Sequence, residues 1–230
     1  MLRKASLRSV PPPTGRRRLG PMTEPAAPDV AVLLDRSPAA SRSCDGVRAA
    51  IETAVAELVE ALRVHHLSTA DHSNRLAAAC RAVGDELHLA PDELFELELV
   101  AILHDIGKLA VPASILDSDR PLDSVERAVV REHTIRGAEI LAEIAGLAHL
   151  APVVRASHEH WDGSGYPDHL RGLRIPLGAR VVGAVDAFDA MTNDRPYRRA
   201  LGNPEARRRI AACAGSDFDP VVVRAVLSAL

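Results

Sequence analysis

From Gly46 to the C-terminus the apolar residues recur at the three-to-four-residue spacing of helices, and no stretch alternates convincingly with period two. Ile51, Val55, Leu58, Val59 and Leu62 share one helical face, and Leu76, Ala79, Cys80, Val83 and Leu87 share a second. Residues 93–106 are apolar almost all round, which predicts a central helix buried on every side. Asp123 followed by Glu126 has the spacing of a reciprocal cap, so a helix is expected to open there, run to about residue 145 and stop at Gly146. Further helices are expected after Ala151 and after Pro176, with two short ones over 203–214 and 219–229. No internal repeat is visible. The pattern predicts one all-α domain over 46–230, a bundle of about seven to eight helices.

Residues 1–45 break this pattern. They hold seven of the sixteen prolines, and the first twenty residues carry six Lys or Arg and no acid. Such a segment buries little apolar surface and is expected to be a disordered, basic tail. The remainder is acidic, and the net charge of the whole chain is -3, which gives no reason to expect a nucleic-acid polymer as partner. No apolar run approaches the roughly 18 residues that cross a bilayer, and the basic N-terminus leads into Pro11-Pro12-Pro13 rather than a hydrophobic segment. A cytoplasmic protein without a membrane partner is the expectation. Cys44, Cys80 and Cys213 form no CxxC pair, so neither a thiolate metal knot nor a disulfide framework is indicated.

The chemistry is expected where ionisable residues interrupt the apolar faces. His72 lies one turn before Leu76. His104 shares the face of Leu97 and Ala101, with Asp105 beside it. His133 precedes Gly137, Ile140 and Ile144 at spacings of four, seven and eleven; His158 follows Val154 by four; Asp186 follows Val182 by four, and Asp189 follows Asp186 by three. One inward His is ordinarily a hydrogen-bonded core residue. Four, with carboxylates, on separate inward faces are better satisfied together by a shared divalent cation, because buried carboxylates need a counter-charge and neutral imidazoles are good ligands. The mixed nitrogen and oxygen donors fit Fe, Mn or Zn and do not choose among them. Gly107 is expected to end the central helix in a left-handed conformation, holding Lys108 one turn from these donors, where an ammonium can meet a phosphate oxygen.

The segments HDIGK at 104–108, HTIRG at 133–137, HEHWDGSGYP at 158–167 and VDAFDAMTNDRPYR at 185–198 resemble the HD-GYP family, a branch of the HD phosphohydrolases. The similarity runs in order from about residue 68 to the FDP at 218–220. It implies an HD-type helical bundle and a metal-dependent phosphodiesterase that opens cyclic di-GMP to pGpG or GMP. By this resemblance His72, His104, Asp105 and Asp186 hold one metal, and Asp105 bridges to a second held by His133 and His158. Lys108, Tyr166, Arg195 and Arg198 match positions that approach the substrate, with Asp105 and Lys108 catalytic. Glu159, Trp161 and Asp162 match scaffolding of the loop carrying Gly165-Tyr166-Pro167. Two divalent ions would acidify a water into a hydroxide nucleophile at neutral pH and clamp the phosphodiester. Signalling proteins are the other class of partner the family suggests.

Two positions depart from the family. Ser157 stands where adjacent histidines are common, so the second metal is expected to bind more weakly, and Ser68 stands where some members carry a third-metal Glu. Two alternatives stay open: a degenerate domain that binds cyclic di-GMP or a partner without cleaving it, which the missing histidine motivates, and a phosphohydrolase of another nucleotide, which would use similar ligands.

Overall fold

The computed structural model describes residues 44–65, 69–194 and 199–230. The basic tail, Ser68, Arg195 and Arg198 lie outside the described residues. No strand occurs among the described residues, only an isolated bridge between Ala214 and Phe218. Among the described residues eight helices have eight residues or more, as the periodicity predicts. No helix among the described residues is long and apolar enough to cross a membrane.

The chain opens with α1 (Cys44–His65) and α2 (Thr69–Glu86), then the central α3 (Pro91–Leu103). Pro91 occupies the first turn of α3, where its missing N–H is no loss, and the Glu93 carboxylate accepts the Ala90 N–H at 2.8 Å. Leu94, Leu97, Leu99, Val100, Ala101 and Leu103 are all buried, but Asp92, Glu93 and Glu96 are exposed, so α3 is central yet not buried on every side as expected: its acidic residues keep one strip in water. The two predicted stripes meet it: Val55, Leu58 and Leu62 of α1 and Leu76, Cys80 and Val83 of α2 belong to the same core. Burying a Leu or Val side chain contributes about 1.5–3 kcal/mol. That apolar interior is what fixes the positions of the polar residues set into it.

After α3 the chain tightens into a 3-10 turn, Ile106–Ala110, followed by the short α4 (Ala113–Leu116). The helix predicted from Asp123 is two helices, α5 (Ser124–Arg131) and α6 (His133–Ala142), parted at Glu132. The cap is as expected: Asp123 accepts the Val125 and Glu126 N–H groups at 2.8 and 2.9 Å, and Glu126 accepts the Asp123 N–H at 2.9 Å. The break at Glu132 puts His133 at the first turn of its own helix. Gly146, with φ +87°, follows four residues past the end of α6 rather than closing it. The chain continues through α7 (Ala151–Arg155), α8 (Leu177–Thr192), α9 (Asn203–Ala212) and α10 (Pro220–Ala229). The Asp219 carboxylate caps α10 through Val221 N–H at 2.7 Å and takes an Arg180 bond at 2.6 Å, fastening the last helix to α8.

Gly107 corrects one expectation. Its backbone is not left-handed; it lies inside the 3-10 turn, and the absent side chain serves close approach instead. A Cβ there would sit 1.9 Å from the His133 carbonyl oxygen and 2.4 Å from the Gly137 nitrogen, both backbone atoms. The turn carrying Asp105 and Lys108 therefore rests directly on α6.

Gly107→Ala should cost at least about 3 kcal/mol or abolish folding, because a helix backbone must move. Gly137→Ala, whose Cβ would meet its nearest neighbours at 3.2–3.4 Å, should cost about 1 kcal/mol. Urea unfolding of both variants checks this, and equal stabilities would contradict the close approach.

Candidate metal centre

Four helices and one turn deliver the polar residues to a single region. His104 is the residue at which α3 ends; its Nδ1–H donates to the Ala101 carbonyl at 2.8 Å, which leaves Nε2 facing inward. His133, at the start of α6, is oriented the same way by the Val130 carbonyl at 2.7 Å. His72 projects from α2, with Nδ1 2.9 Å from the Asp189 carboxylate and Nε2 3.2 Å from that of Asp186, both on α8. His158 comes from the turn after α7.

The ligand atoms fall into two groups. Those of His72, His104 and Asp186 lie within 4.8 Å of one another, as do those of Asp105, His133 and His158. Asp105 joins the groups: Oδ2 is 3.4 Å from His104 Nε2, and Oδ1 is 3.4 Å from His133 Nε2. Lys108 donates to Oδ2 at 2.6 Å.

The donors fit divalent cations on one observation above all. His104, His133 and His158 each have a buried Nε2 with no hydrogen-bond partner in the structure. A buried nitrogen left unsatisfied costs about 1–3 kcal/mol, so three together need a physical cause. Contacts at 3.4 Å to Asp105 are too long for good hydrogen bonds. They match the about 3.0–3.4 Å that separates two donors bound to one ion at bond lengths near 2.1 Å. Nδ1–H bonded to carbonyls or a carboxylate, with Nε2 aimed at a shared point, is the arrangement that outer-shell partners give to metal-binding histidines.

The electrostatics differ between the groups. Burial alone would raise the Asp105 carboxyl, but the charges of Lys108, His104 and His133 outweigh it and hold the group well below the ordinary range. Burial opposes ionisation of Asp186 as well, and the His72 bond overcomes it, bringing Asp186 to about 2. His72 is carried up to about 9 by Asp186 and then by Asp189. In the other group burial prevails over the attraction of Asp105: it is the main cause that pushes His158 down to about 3, with His133 adding to it, and it lowers His133. The first group thus holds a proton that a cation can replace, and the second offers neutral lone pairs.

Beside the centre, the Tyr166 ring stacks on His158 with centroids 5.2 Å apart, and burial raises its hydroxyl to about 12. The loop that carries Tyr166 is fastened by Glu159, whose buried carboxylate accepts the Asp168 and Leu170 N–H groups at 2.6 and 3.0 Å. Asp162 accepts the Ser164 N–H at 2.8 Å, and Trp161 is bonded through its backbone to Asp217 and Gly172. Gly163 takes φ +85° in the bend, a conformation that favours glycine. All six donors named from the sequence, with Lys108 and Tyr166, are brought together here. Two further residues join them. Asp189, on the inward face of α8 by its i, i+3 relation to Asp186 but given no role from the sequence, holds His72. Arg131 lies over the Tyr166 ring at 4.9 Å, and nothing in the sequence distinguishes it from any basic residue ending a helix.

Comparisons with known proteins agree with this architecture. The family model described as "HD domain" matches residues 55–222. The chain is 34% identical over 175 residues to 3′3′-cGAMP-specific phosphodiesterase 2 of Vibrio cholerae, covering 75% of this chain and 34% of the relative. It is 35% identical, over 75% of this chain and 46% of the relative, to the cyclic di-GMP phosphodiesterase response regulator RpfG of Xanthomonas campestris. The chain therefore spans about a third to a half of the length of these curated relatives. Among solved structures, the HDG"Y"P protein Bd1817 of Bdellovibrio bacteriovorus superimposes with a TM-score of 0.58 at 15% identity, covering 86% of this chain and 67% of that one. That likeness establishes the same helical fold.

The opposed shifts predict how stability follows pH in the metal-free protein. His72, raised to about 9, adds stability that is complete below its unfolded value near 6.5 and is lost as pH climbs through 9. His158, lowered to about 3, acts in reverse: as pH falls from about 6.5 the unfolded chain takes up a proton that the folded one refuses. Thermal melts in a chelator from pH 5 to 9.5 should show a maximum between about 6 and 7, with decline on both sides. His72→Ala should flatten the alkaline arm only. A stability that rises steadily through pH 9 would contradict the His72 assignment.

Proposed function

Because the chain belongs to the HD domain family, in its HD-GYP branch, we infer that it is a metal-dependent phosphodiesterase acting on cyclic dinucleotides, with cyclic di-GMP as the leading substrate and pGpG or GMP as products. The observation that carries this reading is the single buried carboxylate of Asp105 facing two histidine groups with its two oxygens. In this proposal His72, His104 and Asp186 would hold one divalent ion and His133 and His158 a second, with Asp105 available to both. Bound ions of this kind lower the pKa of water and neutralise charge on a phosphodiester. The relatives are named for both cyclic di-GMP and 3′3′-cGAMP as substrates, so a mixed cyclic dinucleotide is the nearest competing substrate.

The remaining roles belong to the chain's own residues. Lys108 is held by Asp105 at 2.6 Å with its side chain partly exposed, which supports a role for its ammonium in binding a phosphate oxygen as charge builds during in-line attack. Asp189 fixes the His72 ring and keeps its Nε2 pointed inward. The apolar walls from α3 and α8 limit water around these groups, which strengthens each charge interaction. Arg195, proposed to share with Lys108 the charge that builds during attack, and Arg198, proposed to hold the more distant phosphate, lie outside the described residues.

A second reading has one observation in its favour. Ser157 is buried and its Oγ has no hydrogen-bond partner, so the position that could supply a further imidazole supplies no ligand of comparable strength. On that reading the domain binds a cyclic dinucleotide without turning it over.

The test is cleavage of cyclic di-GMP, 3′3′-cGAMP and cyclic di-AMP by metal-loaded protein, with products resolved chromatographically. Turnover of at least one, abolished by a chelator, is expected, with cyclic di-GMP fastest. Asp105→Ala should lower the rate by about three orders of magnitude, because it removes the carboxylate shared by both groups, while helicity stays near that of the parent chain. Tight binding with no product from any of the three would establish the second reading instead.

A further inference from the structure

Three of the four imidazoles at the centre are aimed by a hydrogen bond at Nδ1: His72 by Asp189, His104 by the Ala101 carbonyl and His133 by the Val130 carbonyl. No such bond reaches His158 among the described residues. Its ring lies flat against Tyr166 instead, with planes 7° from parallel and centroids 5.2 Å apart, and meets the edge of His133 at 4.9 Å. The Tyr166 N–H donates to the His158 carbonyl at 3.1 Å, so the two residues are tied through the backbone as well as stacked. Arg131 then places its guanidinium 4.9 Å from the centre of the Tyr166 ring, and among the described residues it forms no ion pair with a carboxylate.

The sequence Arg131, Tyr166, His158 is therefore a stacked column that ends at an unpartnered inward nitrogen. An imidazole without an Nδ1 bond is free to rotate about its ring axis, which would swing Nε2 away from the point it shares with Asp105 and His133. Stacking against a second ring opposes that rotation. A guanidinium over the tyrosine holds that ring in turn by cation–π attraction.

We propose that Tyr166 and Arg131 are positioning residues for His158, taking the place of the hydrogen bond that orients the other three histidines, and that they thereby set the affinity of the second cation site. This is a role for the tyrosine apart from contact with substrate, and it rests on the reading of the site as a two-ion centre. It also assigns a purpose to Arg131, whose charge is otherwise spent on no carboxylate.

The test is stepwise titration of the full chain with Mn2+ by calorimetry, repeated with Co2+ to follow the visible absorption of the occupied sites. Tyr166→Leu should weaken the second ion by about ten- to a hundredfold while leaving the first unchanged. Tyr166→Phe keeps the ring and should retain the parent affinity. Arg131→Ala should weaken the second ion by about three- to tenfold, and Arg131→Lys should restore most of that loss. Selective weakening with these two rescues supports the assignment. Parent-like affinity in Tyr166→Leu overturns it, and so does equal weakening of both ions, which would mark a general loosening of the pocket. If Tyr166→Leu fails to fold, the Arg131 pair decides the matter by the same criterion. Uptake of fewer than two ions by the unaltered protein sinks the two-ion reading itself, and is seen before any variant is made.

Discussion

Asp105 carries its negative charge inside a bundle whose surrounding side chains are Leu, Val, Ile and Ala, and the rest of the centre is arranged to make that tolerable. A carboxylate taken out of water is costly unless cations or donors surround it. Lys108 supplies one at 2.6 Å, and imidazoles stand 3.4 Å from each oxygen. The same imidazoles turn unsatisfied nitrogens toward the carboxylate, so the polar cluster as a whole is short of positive charge at its middle. Bound divalent cations would relieve both deficits at once. Breaking any one partner would leave the others buried and uncompensated, which is why these residues act as a unit.

The apolar bundle is what makes such a cluster possible. The central helix α3 delivers His104 and Asp105 at its end, and the 3-10 turn presses on α6 at Gly107, bringing His133 to the carboxylate. α2 packs on α8, so His72 meets Asp186 and Asp189. Each helix is also held by the apolar core. The donor positions are thus set before any ion arrives, and this preorganisation favours ion binding over reorganisation of the chain.

Much of this was legible in the periodicity. The stripes of α1 and α2, the all-round apolar α3 and the Asp123–Glu126 cap each identified an element through a spacing that physics ties to helices. The six donors could be picked out because an ionisable residue on an apolar face is conspicuous. What sequence could not give is how elements meet. Gly107 was read as a helix terminator because local rules see only backbone freedom, whereas its true constraint is a backbone from 26 or more residues away. The break at Glu132 has no proline or glycine to announce it. Arg131 looks like any basic residue at a helix end, and only the folded chain shows it over Tyr166.

The central claim is that two ions share Asp105, and crystals soaked in Mn2+ or grown with Fe2+ test it through anomalous scattering. Two peaks about 3.5–4 Å apart are expected, one among His72, His104 and Asp186 and one among His133 and His158, with Asp105 between them. A lone peak bound away from Asp105, or none at saturating metal, would contradict the account.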